Sequence, residues 1–93
     1  MFIAALEVEL YAPWVHSLKE KRMIVKSLIA RIRNKFNVSA AEVDQQDVHQ
    51  KIVLGIACVA GNTALADSIL NNVIAFIESS TEAEIIDIQR EIR

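Results

Sequence analysis

Residues 2–11 read FIAALEVELY, and this alternating stretch decides the fold. Successive side chains of a β-strand point to opposite faces, so a period of two predicts a strand with one face in a core. The predicted inner face consists of Phe2, Ala4, Leu6, Val8 and Leu10. Ala12-Pro13 ends the strand, because proline has no amide to donate to a ladder.

A helix is predicted next, from Leu18 to about Phe36. Ser17-Leu18-Lys19-Glu20 has the pattern of a capping box, in which the serine accepts an amide and Glu20 reaches back. Asn37 is expected to adopt a left-handed conformation after the helix, which asparagine tolerates. The predicted buried stripe consists of Leu18, Val25, Leu28, Ile29, Ile32 and Phe36.

The second half repeats strand and helix. We expect a strand over 38–44, a polar connection over 45–50 and a nearly all-apolar central strand over 51–60. Asn62 or Thr63 is the expected N-cap of a helix over 64–79. A last strand is predicted over 82–93, with Ile86, Ile88 and Ile92 on its inner face.

The order β-α-β-β-α-β with short connections predicts an α+β, ferredoxin-like two-layer sandwich. Right-handed crossovers place both helices on one face of a four-stranded antiparallel sheet, with strand order 4-1-3-2. A chain of 93 residues with 53% hydrophobic and 24% charged residues is expected to form one domain, residues 1–93.

Charge is distributed unevenly along the chain. The net charge of −2 argues against a protein that binds nucleic acid over its whole surface, but residues 18–36 hold seven cations against one acid. The N-terminus lacks the pattern of a signal peptide, and the apolar run over 52–60 is far shorter than the roughly 20 residues of a membrane span. With Cys58 the sole cysteine, we expect a cytoplasmic protein that forms no internal disulfide.

Four of these cations form a predicted stripe on the first helix. At 100° per residue, Lys19, Arg22, Lys26 and Arg33 fall within about 60° of arc, an arrangement that can follow phosphates. The alternative is a solvated helix flank whose alkyl stems cover apolar neighbours.

The helix-free sheet face is the second candidate surface. Its only predicted aromatic residue is Tyr11, and Glu7 and Glu9 lie on the central strand, so base stacking of the RRM type is not expected. Small and apolar residues there suit a second sheet, and we expect homodimerisation through this face or through edge strands. The candidate interface residues are Ile3, Ala5, Tyr11, Val53, Ala57 and Val59.

No group of residues indicates catalysis. The polar segment with Glu42, Asp44, Asp47 and His49 matches no metal-site spacing, and His16 has no nucleophile or carboxylate tied to it. Cys58 is interpreted as a buried apolar residue. We therefore predict no catalytic residue, metal ligand, cofactor, small-molecule substrate or membrane contact.

Several segments together resemble the bacterial YlxP-like family, domain of unknown function family 503. They are Leu6-Glu7-Val8-Glu9-Leu10, Ser17-Leu18-Lys19-Glu20-Lys21-Arg22, Phe36-Asn37-Val38-Ser39, Ala41-Glu42-Val43-Asp44 and Leu54-Gly55-Ile56-Ala57. The resemblance implies a ferredoxin-like fold and no catalytic residues. Members are often encoded beside translation and ribosome-maturation factors, which implies an association only.

Three functions stay open at this point. The first is a non-enzymatic binding module associated with translation, RNA or ribosomal particles through the first helix. The second is a self-associating protein that docks through its open sheet face. The third, less favoured, is an enzyme or small-ligand domain.

Overall fold

Four strands and two helices alternate in the predicted order. The computed structural model describes all of residues 1–93. The elements are β1 (Phe2–Tyr11), α1 (Leu18–Lys35), β2 (Ser39–Asp44), β3 (Lys51–Ala60), α2 (Thr63–Ser80) and β4 (Glu84–Ile92). Each lies within a few residues of its predicted bounds.

The strands form one antiparallel sheet in the order β2-β3-β1-β4, which is the predicted order 4-1-3-2. The longest register joins β1 to β3, from Phe2 opposite Ala60 to Tyr11 opposite Lys51. Both helices pack on the face that carries Ala4, Leu6, Val8 and Leu10. The ferredoxin-like arrangement predicted from the alternating pattern is therefore confirmed.

The first helix differs from its prediction at both ends. Ser17 Oγ accepts a hydrogen bond from the Glu20 amide at 3.1 Å, but the Glu20 carboxylate does not reach back, so only half of the capping box forms. The helix ends at Lys35, and Phe36 is already extended. Gln45 is the only non-glycine residue with a positive φ, so the left-handed Asn37 was a wrong prediction. The extended Phe36 ends the helix without that turn.

The predicted faces of β4 are wrong at one end of the strand, because the strand contains a β-bulge. Glu9 pairs with Asp87 and Leu10 pairs with Ile85, so Ile86 is an extra residue in the strand. Ile85 packs against the core, whereas Ile86 is exposed. An inserted residue shifts the alternation by one, which a strict period of two cannot anticipate.

A second bulge shapes the middle of the open face. Glu42 pairs with Leu54 and Asp44 pairs with Val53, so Val43 is inserted between them. A Cβ placed on Gly55 would lie 2.7 Å from Val43 Cγ1, a distance that side chains do not tolerate. Gly55 thus leaves the space that Val43 occupies.

Lys21 is the one charged residue with no exposed surface, and it ties α1 to the β2–β3 connection. Its Nζ lies 2.8 Å from Glu42 Oε2 and donates hydrogen bonds to the Val48 carbonyl at 2.7 Å and to the Gln45 carbonyl. The ammonium is the only polar partner of Glu42 Oε2. One buried cation therefore satisfies an inward-pointing carboxylate and two carbonyls. We call these four residues the Lys21 clasp.

Replacing Gly55 by alanine is expected to lower the free energy of unfolding by about 1–3 kcal/mol, because Val43 must move. Gly61→Ala is the matched control, since nothing lies within 4 Å of the added Cβ. Urea denaturation of both variants measures the difference. If Val43→Ala does not reduce the penalty of Gly55→Ala in the double variant, the steric explanation is wrong.

Replacing Lys21 by methionine is expected to lower the free energy of unfolding by about 3 kcal/mol, because Glu42 and two carbonyls lose their buried cation. Lys26→Met makes the same change on the exposed side of α1 and is expected to stay within about 0.5 kcal/mol of the unsubstituted chain. Chemical denaturation compares the two. Equal stabilities would show that the Lys21 clasp contributes nothing.

Candidate nucleic-acid interface

The four cations predicted to form a stripe are all exposed on α1. Lys19, Arg22, Lys26 and Arg33 form no ion pair, since the four ion pairs of the chain involve Lys21, Lys51, Arg90 and Arg93. None of their side chains donates a hydrogen bond within the chain either. We call these four residues the basic stripe.

The other three cations of α1 are engaged within the fold. Lys21 is held in the Lys21 clasp. Arg31 donates a hydrogen bond of 2.8 Å to the Ser80 carbonyl, and so places a positive charge at the C-terminal end of α2, whose last turn contains no basic residue. Lys35 Nζ lies 5.1 Å from the centre of the Phe76 ring, within reach of a cation–π interaction. Of the seven cations of α1, three thus have structural contacts and four have no partner within the chain.

The basic stripe lies on the flank of α1 that faces away from α2. Arg31 and Lys35 contact α2, and at 100° per residue their mean direction is roughly 170° from that of the stripe. Glu20, the only acid of the helix, projects roughly 130° from the stripe. The 14 residues between Lys19 and Arg33 rise about 21 Å along the axis at about 1.5 Å each. The row is therefore long, cationic and free of carboxylates on its own helix.

The open sheet face has the opposite charge. By strand register six carboxylates lie on it, against the two cations Lys51 and Arg93; they belong to Glu7, Glu9, Asp44, Glu84, Asp87 and Glu91. A hydrogen bond of 2.9 Å from Arg93 holds the pKa of Glu91 below its ordinary value. Lys51 Nζ lies 4.0 Å from Glu9 Oε1, whereas Glu7 takes part in none of the four ion pairs of the chain. A polyanion approaching this face meets net repulsion.

A shallow groove of about 560 Å³ crosses the middle of the open face. Small residues form its floor, with Ala5 opposite Ala57 and Ala41 opposite Gly55. Its rim carries Glu7, Glu91 and Arg93. The groove exists because the side chains over the central strands are short.

The six candidate interface residues differ in how much surface they offer. Ile3 and Val59 face each other across β1 and β3 and are 41% and 65% exposed. Ala5, Ala57 and Tyr11 are half-buried. Val53 is only 5% exposed and so offers almost no surface to a partner. The accessible apolar surface is thus concentrated at the end of the sheet where β1 begins.

The polar segment over 42–49 does not converge on a common point. Glu42 binds Lys21, Asp44 Oδ1 accepts the Gln45 amide at 2.8 Å, and Asp47 is exposed. No three His, Cys, Asp or Glu side chains lie close enough together to hold a metal ion. The carboxylates of this segment instead order the turn and the Lys21 clasp.

The remaining residues considered from the sequence have structural or peripheral positions. Cys58 is buried in the core as predicted, and burial raises the pKa of its thiol, which disfavours the reactive thiolate. His16 is exposed in the connection before α1. Trp14 is 39% exposed and lines a shallow cleft with Met23 and Arg31. Neither helix is long and apolar enough to cross a membrane.

The Lys21 clasp is the feature that the sequence interpretation missed. Lys21 falls about 20° from Ile32 on the helical projection, within the buried stripe. Glu42 has the same parity in β2 as the inward-facing Ala40. A cation and an acid that both point inward predict a buried pair, but from the sequence Glu42 is interpreted as part of a polar segment and Lys21 is counted only among the seven cations of residues 18–36.

Comparison with known proteins gives three consistent similarities. The family model "Protein of unknown function (DUF503)" matches residues 3–90. The uncharacterized protein YlxP of Bacillus subtilis (strain 168) is 44% identical over 68 residues, which cover 73% of this chain and 74% of that protein. A de novo designed protein with ferredoxin fold, determined by solution NMR, superposes with a TM-score of 0.65 over 100% of this chain and 86% of the designed chain.

The designed protein is 18% identical in sequence, so that similarity concerns the fold alone. The family model extends over the strands and helices that carry the basic stripe and the Lys21 clasp. The resemblance found in the sequence segments is thereby confirmed, and the chain belongs to the DUF503 family of proteins of unknown function.

Proposed function

We propose that this chain is a non-enzymatic module that binds the phosphate backbone of RNA through the basic stripe of α1. The observation that carries the proposal is the separation of cations on this helix. Three form contacts within the fold, whereas Lys19, Arg22, Lys26 and Arg33 are exposed and unpartnered. Unpartnered cations in a row are what a phosphate backbone binds.

The charge of the opposite side supports one orientation of binding. Glu7 and Glu9 lie on the sheet face, and the helices form the other layer, so repulsion and attraction act on different sides of the molecule. Such a module would dock with its helix side toward the RNA. The association of similar sequences with translation factors, implied by the family resemblance, favours RNA over DNA.

Reversing two cations tests the proposal. The double variant Lys26→Glu, Arg33→Glu is expected to abolish retention of RNA and of ribosomal particles, because it changes the stripe charge by four. With four phosphate contacts, the slope of log K against log salt is about −3 for the unsubstituted chain. Fluorescence anisotropy at several salt concentrations measures both affinity and slope.

Lys51→Glu, Arg93→Glu is the matched control, because it makes the same change in net charge on the open sheet face. That variant is expected to retain most of the binding. If both double variants bind equally, the affinity reflects net charge rather than the basic stripe, and the proposal fails. Circular dichroism establishes that each variant is folded.

A second candidate function, self-association through the open face, is favoured by the apolar end of the sheet. Met1, Ile3 and Val59 are exposed beside one another there, with Ala5 and Ala57 next to them. Four strands of six to ten residues, about 4.8 Å apart, present a face of about 570 Å² at about 3.4 Å per residue. A standard interface buries about 800 Å² per partner, so the face by itself provides a small, weak interface for a second copy of this chain.

Placing a charge in this apolar end is expected to leave only the monomer. Val59→Lys places a cation on each side of a symmetric contact through this end. Met23→Lys is the matched control because Met23 is equally exposed, at 66% against 65%, on α1. Sedimentation velocity at tens of micromolar gives the mass. A monomeric unsubstituted chain excludes this second function.

A further inference from the structure

Four of the five aromatic side chains lie away from the basic stripe, and the fifth, Trp14, shares a cleft with Met23, one turn after Lys19. Phe36 and Phe76 pack edge to face at 5.7 Å between the ends of the two helices. Trp14 is 39% exposed and lines a cleft with Met23 and Arg31, and Met23 projects about 70° from the mean direction of the stripe. The other two are Phe2, on the core side of β1, and Tyr11, at the far end of the open face. Beyond this N-terminal end, a base that reaches the stripe finds no ring to stack on.

Stacking is the main source of affinity for single strands. Each base stacked on an aromatic side chain contributes about 1–3 kcal/mol, and proteins that bind single strands combine such rings with a cationic groove. The stripe supplies only the cations. A duplex needs no ring, because its bases already stack on one another and its phosphates and 2′-hydroxyls face outward.

The shape of the stripe also favours a duplex. The cations lie on a regular α-helix and extend over about 21 Å in one direction. A duplex is stiff and carries one negative charge per about 1.7 Å, roughly twice the linear density of one strand. A rigid row of cations therefore binds a rigid, dense row of phosphates with a more favourable free energy than a flexible single strand. The single strand loses conformational entropy when the protein orders it.

From these contacts we infer that the RNA bound by the basic stripe is double-stranded and is contacted through phosphates alone. This inference rests on the proposed RNA-binding function and specifies its ligand. It implies little dependence on base sequence, since contacts to phosphates carry no sequence information. It also implies a stronger salt dependence than for a single strand. With four phosphate contacts, the slope of log K against log salt is about −3.6 for a duplex and about −2.8 for one strand.

The test compares a labelled RNA duplex with one of its strands, chosen so that it cannot pair with itself. The duplex is expected to bind about tenfold more tightly, because the strand lacks a stacking partner along most of the stripe and has half the charge density. Both measurements are repeated with Lys26→Glu, Arg33→Glu and with Lys51→Glu, Arg93→Glu. Only the first double variant is expected to remove duplex binding.

The outcomes separate this inference from the function on which it rests. If the single strand binds as tightly as the duplex, and the stripe variant removes both, the inference is overturned while RNA binding stands. If neither RNA binds at low salt, both fail. A DNA duplex of the same sequence is the third ligand: tighter binding of DNA than of RNA would support duplex phosphates as the ligand but overturn the assignment to RNA.

Discussion

The buried ammonium of Lys21 constrains how α1 sits on the sheet. A lysine without exposed surface must find acceptors, because an unpaired charge in the interior is strongly destabilising. Lys21 finds them in Glu42 and in the carbonyls of Gln45 and Val48, all in or just after β2. The N-terminal half of α1 is thus held to the β2–β3 connection. The rotation of the helix about its axis is set by this contact together with the core contacts of Val25, Leu28 and Ile32.

The outward direction of the basic stripe is a consequence of that rotation. Lys21 binds the β2–β3 connection, and Arg31 and Lys35 bind the C-terminal half of α2, so two sides of the helix are occupied. The remaining side faces neither α2 nor the sheet and carries the four unpartnered cations. A helix that used all seven cations in contacts within the chain would present no phosphate site. The opposite layer carries Glu7 and Glu9, which gives the small domain one cationic and one acidic side.

The sequence predicts the architecture well because its periodic patterns are strong. FIAALEVELY has a clear period of two, Asn62 caps α2 through the Leu65 amide, and the apolar run over 51–60 matches the central β3. The predictions that were wrong concern single residues at which a regular pattern is interrupted or ends. Ile86 shifts the alternation of β4 at a bulge, and Phe36 ends α1 in an extended conformation instead of through Asn37. Local propensity does not determine either feature, because each depends on pairing with another strand or packing against another helix.

The candidate site was predictable in part. Helical geometry placed Lys19, Arg22, Lys26 and Arg33 on one flank, and all four are exposed. The sequence did not reveal which cations of α1 are consumed within the fold, because Ser80 and Phe76 are distant in the chain and a lysine on an amphipathic helix is usually solvated. That division among seven similar side chains needs tertiary structure. It is also what turns a basic segment into a defined candidate surface.

Lysine reactivity measured by mass spectrometry, with and without an RNA duplex, tests this division most directly. Brief acylation of the folded chain is predicted to modify Lys19, Lys26 and Lys51 while Lys21 stays protected. Adding the duplex is predicted to protect Lys19 and Lys26 and to leave Lys51 reactive. A reactive Lys21 in the free chain, or unchanged Lys19 and Lys26 on addition of RNA, would contradict the assignment of these cations to separate structural and binding roles.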